Sequence, residues 1–302
     1  SGAKSGPALR APAWGTLRVR GSEARSWLHG LLTCNVEGVT AERGAWGLLL
    51  SKRGKIVCDL TIIADADGLW LGSASDIGRL HTLLDEYLVM EDAEIELGSG
   101  TTWLTLHGAG ALAAARHVPS LAAGELGWNR NEGAALLVVD AEAAAVRDQL
   151  VDDLGARLLD EAEWTLLRVR SGLPLFGVDF GPDDNPHEAA LDRRTVDWSK
   201  GCYLGQEVVC MQDMRGKVKR RLVRLKLDAA VGGAGGRPLV AGQPVTDPAG
   251  TEVGRVTSAA GELEAGEVFV IARLKAPFFE PGSRVLLEQQ PATVLELLPE
   301  SP

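Results

Sequence analysis

The pattern of the sequence changes near residue 220, and this change limits the folds open to the chain. Before that point, alternating segments typical of strands are interleaved with segments that have the three-to-four-residue apolar spacing of helices. After it, short alternating segments follow one another with glycine and proline between them. The second pattern predicts a small antiparallel barrel. We therefore expect an α+β protein with an α/β body and a C-terminal antiparallel β-barrel.

Several residues are predicted to begin helices. Asp76 precedes an amphipathic segment, and Asp160 with Glu163 three residues later forms the pattern of a capping box. Ser22 is expected to cap the first helix, because serine accepts a hydrogen bond from the first turn.

Composition indicates a globular protein of a reducing compartment. The 302 residues are 45% apolar and 24% charged, and the length suggests two or three domains. No apolar run approaches the roughly 18 residues of a membrane span, and the N-terminal residues lack the apolar core of a secretory signal. The cysteines show no CxxC spacing, which argues against a zinc knuckle and a disulfide framework. We expect a cytoplasmic protein with no membrane span and no metal site.

The charge of the chain bears on its partners. A formal net charge of -10 disfavours direct binding to nucleic acid, because neutralising phosphates requires a basic surface. One stretch, residues 214–226 (MRGKVKRRLVRLK), is strongly basic. Such a run is usually a solvated strand face. The alternative is a docking face for an acidic protein or RNA.

The segment KGCYLGQE, residues 200–207, places Cys202 close to Lys200 and before a predicted helix start at Gly205. Nearby positive charge and a helix N-terminus favour the thiolate form of cysteine, so Cys202 is a candidate nucleophile or ligand. The alternative is a small apolar residue in a turn, since no histidine or aspartate partner stands at a motif spacing. The residues alone leave both interpretations open.

Five motifs that occur in a fixed order resemble those of one family. They are WGTLRVRGSEARSWLHGLLTCNV (14–36), SKRGKIVCDLTI (51–62), GLPLFGVDF with NPHEAALD (172–192), KGCYLGQE (200–207) and GRVTS (254–258). Together they resemble the YgfZ family of folate-binding proteins, which belongs to the superfamily of the aminomethyltransferase (T-protein) of glycine cleavage, GcvT. The motifs extend over nearly the whole chain.

This resemblance implies a fold and a function. It implies a GcvT-like arrangement of three domains around a channel that holds tetrahydrofolate or a one-carbon derivative of it. We expect a first α/β domain at 8–50 with 160–220, a second at 51–159 and the barrel at 221–302. The family supports the assembly or repair of iron-sulfur proteins, including enzymes that modify tRNA. The implied partners are folate and iron-sulfur proteins or their assembly factors.

The resemblance also implies site residues. Trp14 and Trp164 match the folate-contacting tryptophans of the family, and an indole suits stacking on a pterin or aminobenzoyl ring. Lys200, Cys202 and Gln206 are expected to line the same channel.

At Arg170 and at Cys58–Asp59 the chain departs from the T-protein that it resembles, and both departures bear on folate binding and catalysis. Arg170 stands where the T-protein has a glutamate, and an arginine cannot accept the N–H donors of a pterin edge. The T-protein's carboxylate pair is reduced here to Cys58–Asp59, which leaves Asp59 as the candidate acid or base. These residues lie on opposite faces of a strand. An aminomethyl- or methyltransferase acting on an unknown amine is thus the alternative function, and the sequence leaves open whether the protein is an enzyme. Independently of this alternative, the basic stretch 214–226 would also suit the anionic tail of a polyglutamylated folate.

Overall fold

The computed structural model describes residues 6–128, 133–216, 218–227, 239–260 and 268–297. The chain divides into two compact units, which are described separately. The first comprises Ser1–Leu159 and Arg194–Gln206, and the second comprises Asp160–Arg193 and Glu207–Pro302. The boundaries of the three expected domains stay a prediction.

The first unit contains an antiparallel sheet with helices packed on one face. The elements of this layer are β2 (Gly15–Arg20), α1 (Ala24–Leu31), β3 (Ala45–Leu50), β4 (Ile56–Ala64), β5 (Leu69–Ser73), α2 (Ile77–Asp85) and β6 (Glu94–Leu97). The strand order is β3-β4-β5-β2-β6. Apolar residues of α1 and α2, Leu28 and Leu84 among them, bury one face of the sheet. The other face is therefore left for different contacts.

A second sheet completes the first unit. Its layer consists of β1 (Ala8–Arg10), β7 (Thr101–His107), α3 (Ala111–His117), β8 (Ala122–Glu125), β9 (Gly133–Val139), α4 (Asp140–Asp152) and β10 (Arg157–Leu158). The strand order is β10-β1-β7-β9-β8, with β1 and β10 parallel. Alanines at 111, 115 and 134 are fully buried in its core. Their small side chains allow the helices to pack closely on the strands.

The second unit contains a closed barrel. Its elements are α5 (Glu161–Ser171), most of α6 (Gln206–Arg215), β11 (Arg220–Leu227), β12 (Pro244–Thr246), β13 (Glu252–Ala259), β14 (Phe269–Lys275), β15 (Arg284–Leu287) and β16 (Gln290–Leu295). The barrel order is β11-β14-β13-β12-β15-β16, and neighbouring strands are antiparallel. The predicted C-terminal barrel is confirmed. Strand β12 was not predicted. It has only three residues, one of them proline, which is too short for an alternation of apolar and polar side chains to be recognised.

The predicted helix starts are confirmed at two places and wrong at one. The Asp76 side chain accepts a hydrogen bond from the Arg79 backbone N–H, and Asp160 and Glu163 form the reciprocal capping box. Ser22 does not cap α1, because its hydroxyl donates instead to Asp92 Oδ2 at 2.6 Å. Among the helices of the described ranges, none has the length and apolar character that crossing a membrane requires.

Candidate functional site

An aromatic cluster lies against the face of the first sheet that α1 and α2 leave open. Leu71 points into the helix-packed core, so the neighbouring Gly72 points to the opposite face. A Cβ on Gly72 would lie 2.7 Å from the Trp103 ring and 3.0 Å from the Trp14 ring. Trp14 packs edge-to-face on Trp103 and Trp128, with ring centroids 5.8 and 6.1 Å apart. Trp103 is fully buried and Trp14 only half-buried, so Trp14 keeps accessible ring surface.

Asp59 lies on the same face of the sheet as this cluster. Thr61 pairs with Gly72, and Asp59 is two residues earlier on β4. Cys58 points into the helix-packed core, which settles which member of the pair faces which side. The Trp46 Nε1–H donates to Asp59 Oδ2 at 3.1 Å. Burial raises the pKa of the Asp59 carboxyl despite this hydrogen bond, so the group holds a proton at a higher pH than an exposed aspartate does.

The four thiols differ in accessibility. Cys34 and Cys58 are buried in the core of the first unit. Burial raises the pKa of Cys34 to about 12 and raises that of Cys58 as well, so both remain neutral thiols at physiological pH. Cys210 is half-buried, whereas Cys202 is exposed. Of the four, Cys202 is the thiol that solvent and partners reach most easily.

Lys200 is occupied by backbone contacts. Its Nζ donates to the carbonyl oxygens of His29 at 2.5 Å, Leu32 at 2.6 Å and Cys34 at 2.8 Å. These carbonyls lie in the last turn of α1 (His29), at its C-cap (Leu32) and just beyond it (Cys34), where helix oxygens lack intrahelical partners. The three protons of the ammonium match the three oxygens. Lys200 therefore anchors the KGCYLGQE segment to α1, a role that the sequence pattern did not predict.

The rest of the KGCYLGQE segment packs against the β3–β4 turn. Gly205 has a φ of +81°, and a Cβ at this position would lie 2.6 Å from the Ser51 carbonyl oxygen. Glycine is required by both the left-handed backbone and the close approach. Helix α6 begins at the next residue, Gln206, whose N–H donates to Tyr203 O at 3.2 Å. The KGCYLGQE and SKRGKIVCDLTI motifs thus meet at Gly205. Cys202 lies in the sequence between this contact and the contact of Lys200 with the end of α1.

In the second unit, helix α5 carries Trp164 and a buried arginine. Trp164 is only 5% exposed. Arg168, one turn later, donates to Asp179 Oδ2 and to Ser258 Oγ, both at 2.8 Å. Arg170 is exposed on the same helix. The sequence pointed to Arg170, whereas the arginine that joins the GLPLFGVDF and GRVTS motifs is Arg168. Its four-residue spacing from Trp164 could have revealed it, because such residues share a helix face.

Two arginines of the basic stretch are paired with carboxylates of the second unit. Arg220 bonds the carboxylates of Glu188 and Asp184, both at 3.2 Å. Arg221 bonds Asp192 Oδ1 at 2.9 Å. Glu188 and Asp192 belong to the NPHEAALD motif, so this motif pairs with the first two arginines of β11. Of residues 214–226, only residue 217 lies outside the described ranges. Neither arginine is available as the free cation that a docking face or a folate tail requires.

The seven predicted site residues do not form one cluster within either unit. The first unit contains Trp14, Asp59, Lys200, Cys202 and Gln206, and the second contains Trp164 and Arg170. None of them lines a cavity of about 480 Å³ in the first unit or one of about 320 Å³ in the second. In the part of the chain that the structure describes, no group of three or more histidine, cysteine or acidic side chains is placed to hold a metal ion.

The fold defines the class of protein. The chain is similar to the glycine cleavage system aminomethyltransferase T from Bartonella henselae, with a TM-score of 0.77, 20% sequence identity, and coverage of 97% of this chain and 85% of that chain. It therefore has the GcvT aminomethyltransferase fold.

Sequence relatives identify the group within that class. The chain is 28% identical over 236 residues to the tRNA-modifying protein YgfZ of Edwardsiella ictaluri, covering 72% of this chain and 70% of that protein. It is 26% identical over 274 residues to the tRNA-modifying protein YgfZ of Escherichia coli O45:K1, covering 85% and 82%. No protein-family model matches the chain. The chain is a YgfZ-like, GcvT-like protein, and the resemblance drawn from its motifs is confirmed.

Proposed function

We propose that this protein binds tetrahydrofolate, or a one-carbon derivative of it, and acts in tRNA modification in the cytoplasm. In this proposal it supports the assembly or repair of iron-sulfur proteins, including those that modify tRNA. The relatives named tRNA-modifying protein YgfZ support the tRNA part. The observation that carries the folate part is the half-buried Trp14 on the same sheet face as Asp59.

Trp14 and Asp59 suit the two ends of a reduced pterin. Trp14 keeps accessible ring surface, and aromatic stacking contributes about 1 kcal/mol beyond the burial of area. The Asp59 carboxyl accepts N–H donors through its oxygens and, when protonated, also donates. Bound folate would supply a carrier for a one-carbon unit. Trp164 is too buried to stack on a ligand without leaving its packing, so the folate proposal rests on Trp14 rather than on both tryptophans.

Cys202 is the residue we assign to the iron-sulfur partner. It is exposed, and the anchoring of Lys200 to α1 and of Gly205 against Ser51 holds its backbone on both sides. A thiol held in this way can ligate a transient cluster, form a mixed disulfide or accept a one-carbon unit. Further cluster ligands would come from the partner protein.

Titration with tetrahydrofolate, followed by tryptophan fluorescence, tests the binding proposal. We expect saturable quenching in the parent protein. Trp14→Phe should reduce the amplitude and weaken binding about five-fold, because the smaller ring loses stacking area. Trp164→Phe is the matched control and should leave the affinity unchanged. A flat response in the parent would contradict folate binding.

A folate-dependent aminomethyl- or methyltransferase is the second candidate function. The raised pKa of Asp59 favours it, because a carboxyl with a raised pKa holds its proton more readily than an exposed aspartate does, as a general acid requires. The buried Cys58 beside it leaves Asp59 without the second carboxylate of the T-protein.

A complementation assay separates the two functions. In cells that lack the protein, the content of tRNA nucleosides made by iron-sulfur enzymes is measured after expressing each variant. The accessory role predicts that Cys202→Ala fails to restore these nucleosides, whereas the near-isosteric Asp59→Asn restores them. The transferase role predicts that Asp59→Asn fails and also abolishes turnover of methylene-tetrahydrofolate with an amine panel. Full restoration by Cys202→Ala would remove the role assigned to this thiol.

A further inference from the structure

The first unit has a cavity beside its edge strand β3 that is lined by none of the predicted site residues, although Trp46, one of its lining residues, donates to Asp59. It has a volume of about 480 Å³, within the 300–1,000 Å³ that is typical of small-molecule sites. Its lining includes Asn35, Arg43, Trp46, Arg194, Asp197 and Trp198. They come from the loop that leads into β3, from β3 itself and from the segment that precedes KGCYLGQE.

The segment that carries three of these residues is held firmly. The Thr33 hydroxyl donates to Thr195 O at 2.6 Å, and the Asp197 N–H donates to Thr33 O at 2.9 Å. Thr33 and Thr195 are buried. The residues at 194 and 198 therefore project from a fixed backbone, which is the condition for a preformed site.

The cavity is locally positive in a strongly acidic chain. Two arginines, Arg43 and Arg194, and one acidic residue, Asp197, line the cavity, whereas the whole chain carries a formal charge of -10. Within the described ranges, the Arg43 guanidinium makes no hydrogen bond or ion pair, and only its backbone groups are bonded. A guanidinium fork suits bidentate contact with a phosphate. The cavity therefore favours an anionic ligand.

The remaining walls suit a flat heterocycle. Trp198 is 45% exposed, which is unusual for so large an apolar side chain, and Trp46 lines the cavity from β3. Asp197 Oδ1 accepts hydrogen bonds from the Ser199 backbone N–H at 2.8 Å and from its hydroxyl at 2.6 Å. These bonds lower the pKa of Asp197 and keep it an ionised acceptor for ring N–H groups. Asn35 adds a carboxamide at the rim.

We propose that this cavity binds a nucleotide, with its base against Trp198 and Asp197 and its phosphate on Arg43 and Arg194. Two sources would supply this ligand, a free nucleotide or an unpaired nucleotide of an RNA strand. Both offer a phosphate and a heteroaromatic base with N–H donors. The RNA source rests on the tRNA part of the proposed function. Stacking and basic side chains are together the usual means of holding single-stranded nucleic acid.

The test measures binding of defined probes to the full chain. The probes are guanosine 5′-monophosphate, adenosine 5′-monophosphate, a single-stranded RNA heptamer and ribose 5-phosphate. Isothermal titration calorimetry measures the affinity of each. We expect the nucleotides to bind and ribose 5-phosphate to bind at least about ten-fold more weakly, because it lacks the base. Arg43→Gln and Trp198→Leu should each weaken nucleotide binding about ten-fold. Arg79→Gln, which changes an exposed arginine on α2, is the matched control and should have no effect.

The outcomes separate this proposal from the folate proposal. Tighter binding of the heptamer, with strong salt dependence, identifies an RNA strand as the source, and equal binding identifies free nucleotides. No nucleotide or heptamer binding, or equal binding of ribose 5-phosphate, overturns the proposal. Tetrahydrofolate binding that weakens in Trp198→Leu and is unchanged in Trp14→Phe also overturns it, because the cavity would then belong to folate. Unfolding midpoints of both variants, which change exposed side chains, establish that they are folded.

Discussion

Replacing Arg168 with methionine should destabilise the second unit by about 3–5 kcal/mol, the cost of breaking a buried ion pair by removing one partner. The side chains of Arg168 and Asp179 are 6% and 0% exposed. In the variant, Asp179 would stay buried, and within the described residues its carboxylate would keep two donors, the Leu175 N–H and the Thr257 hydroxyl. The midpoint of urea unfolding measures the loss.

Two further variants control this result. Arg170→Met removes an exposed arginine from the same helix and should change stability by less than about 0.5 kcal/mol. The double variant Arg168→Met with Asp179→Leu removes both charges, so it should be more stable than Arg168→Met alone. Equal unfolding midpoints for Arg168→Met and the parent would show that the pair does not hold the GLPLFGVDF and GRVTS motifs together.

Replacing Lys200 with methionine should destabilise the first unit by about 3 kcal/mol. An unsatisfied buried acceptor costs about 1–3 kcal/mol, and this change removes the charged donor from three carbonyl oxygens at once. Water can replace part of the loss, because Lys200 is half-buried. The measurement is the unfolding midpoint of the full chain, followed by near-ultraviolet circular dichroism.

Lys52→Met is the control for this change. Lys52 is exposed in the β3–β4 turn, and its loss should change stability by less than about 0.5 kcal/mol. An undiminished midpoint for Lys200→Met would contradict the anchoring role. If Lys200 acted on a ligand instead, folate affinity would fall while stability stayed at the parent value.

The motifs used for recognition turn out to be contact partners. KGCYLGQE meets the SKRG turn through Gly205, and GLPLFGVDF meets GRVTS through Arg168. NPHEAALD supplies the carboxylates that pair with the basic strand through Arg220 and Arg221. Much of the sequence signature of this fold is therefore explained by packing and charge pairing, without any ligand.

The pattern of residues close together in the sequence was enough to predict the barrel, the β3–β4 hairpin and the capping box of Asp160 with Glu163. These features depend on residues within a few positions of each other, where alternation and turn chemistry act directly. Ser22 shows where this reasoning fails. Its hydrogen-bond partner, Asp92, is 70 residues away along the chain, so the residues around Ser22 could not predict this bond.

The functional side chains depended on contacts between distant segments. The strand period places Cys58 and Asp59 on opposite faces, but only the packing of α1 and α2 decides that Asp59 meets the aromatic cluster. Likewise, the motif names Lys200 and Cys202, but the carbonyls at the end of α1 and just after it bind the lysine, whereas the thiol stays exposed. The apolar periodicity of a strand or helix depends on residues that are neighbours in the sequence. The partner of a polar side chain depends instead on which distant segments the fold places beside it.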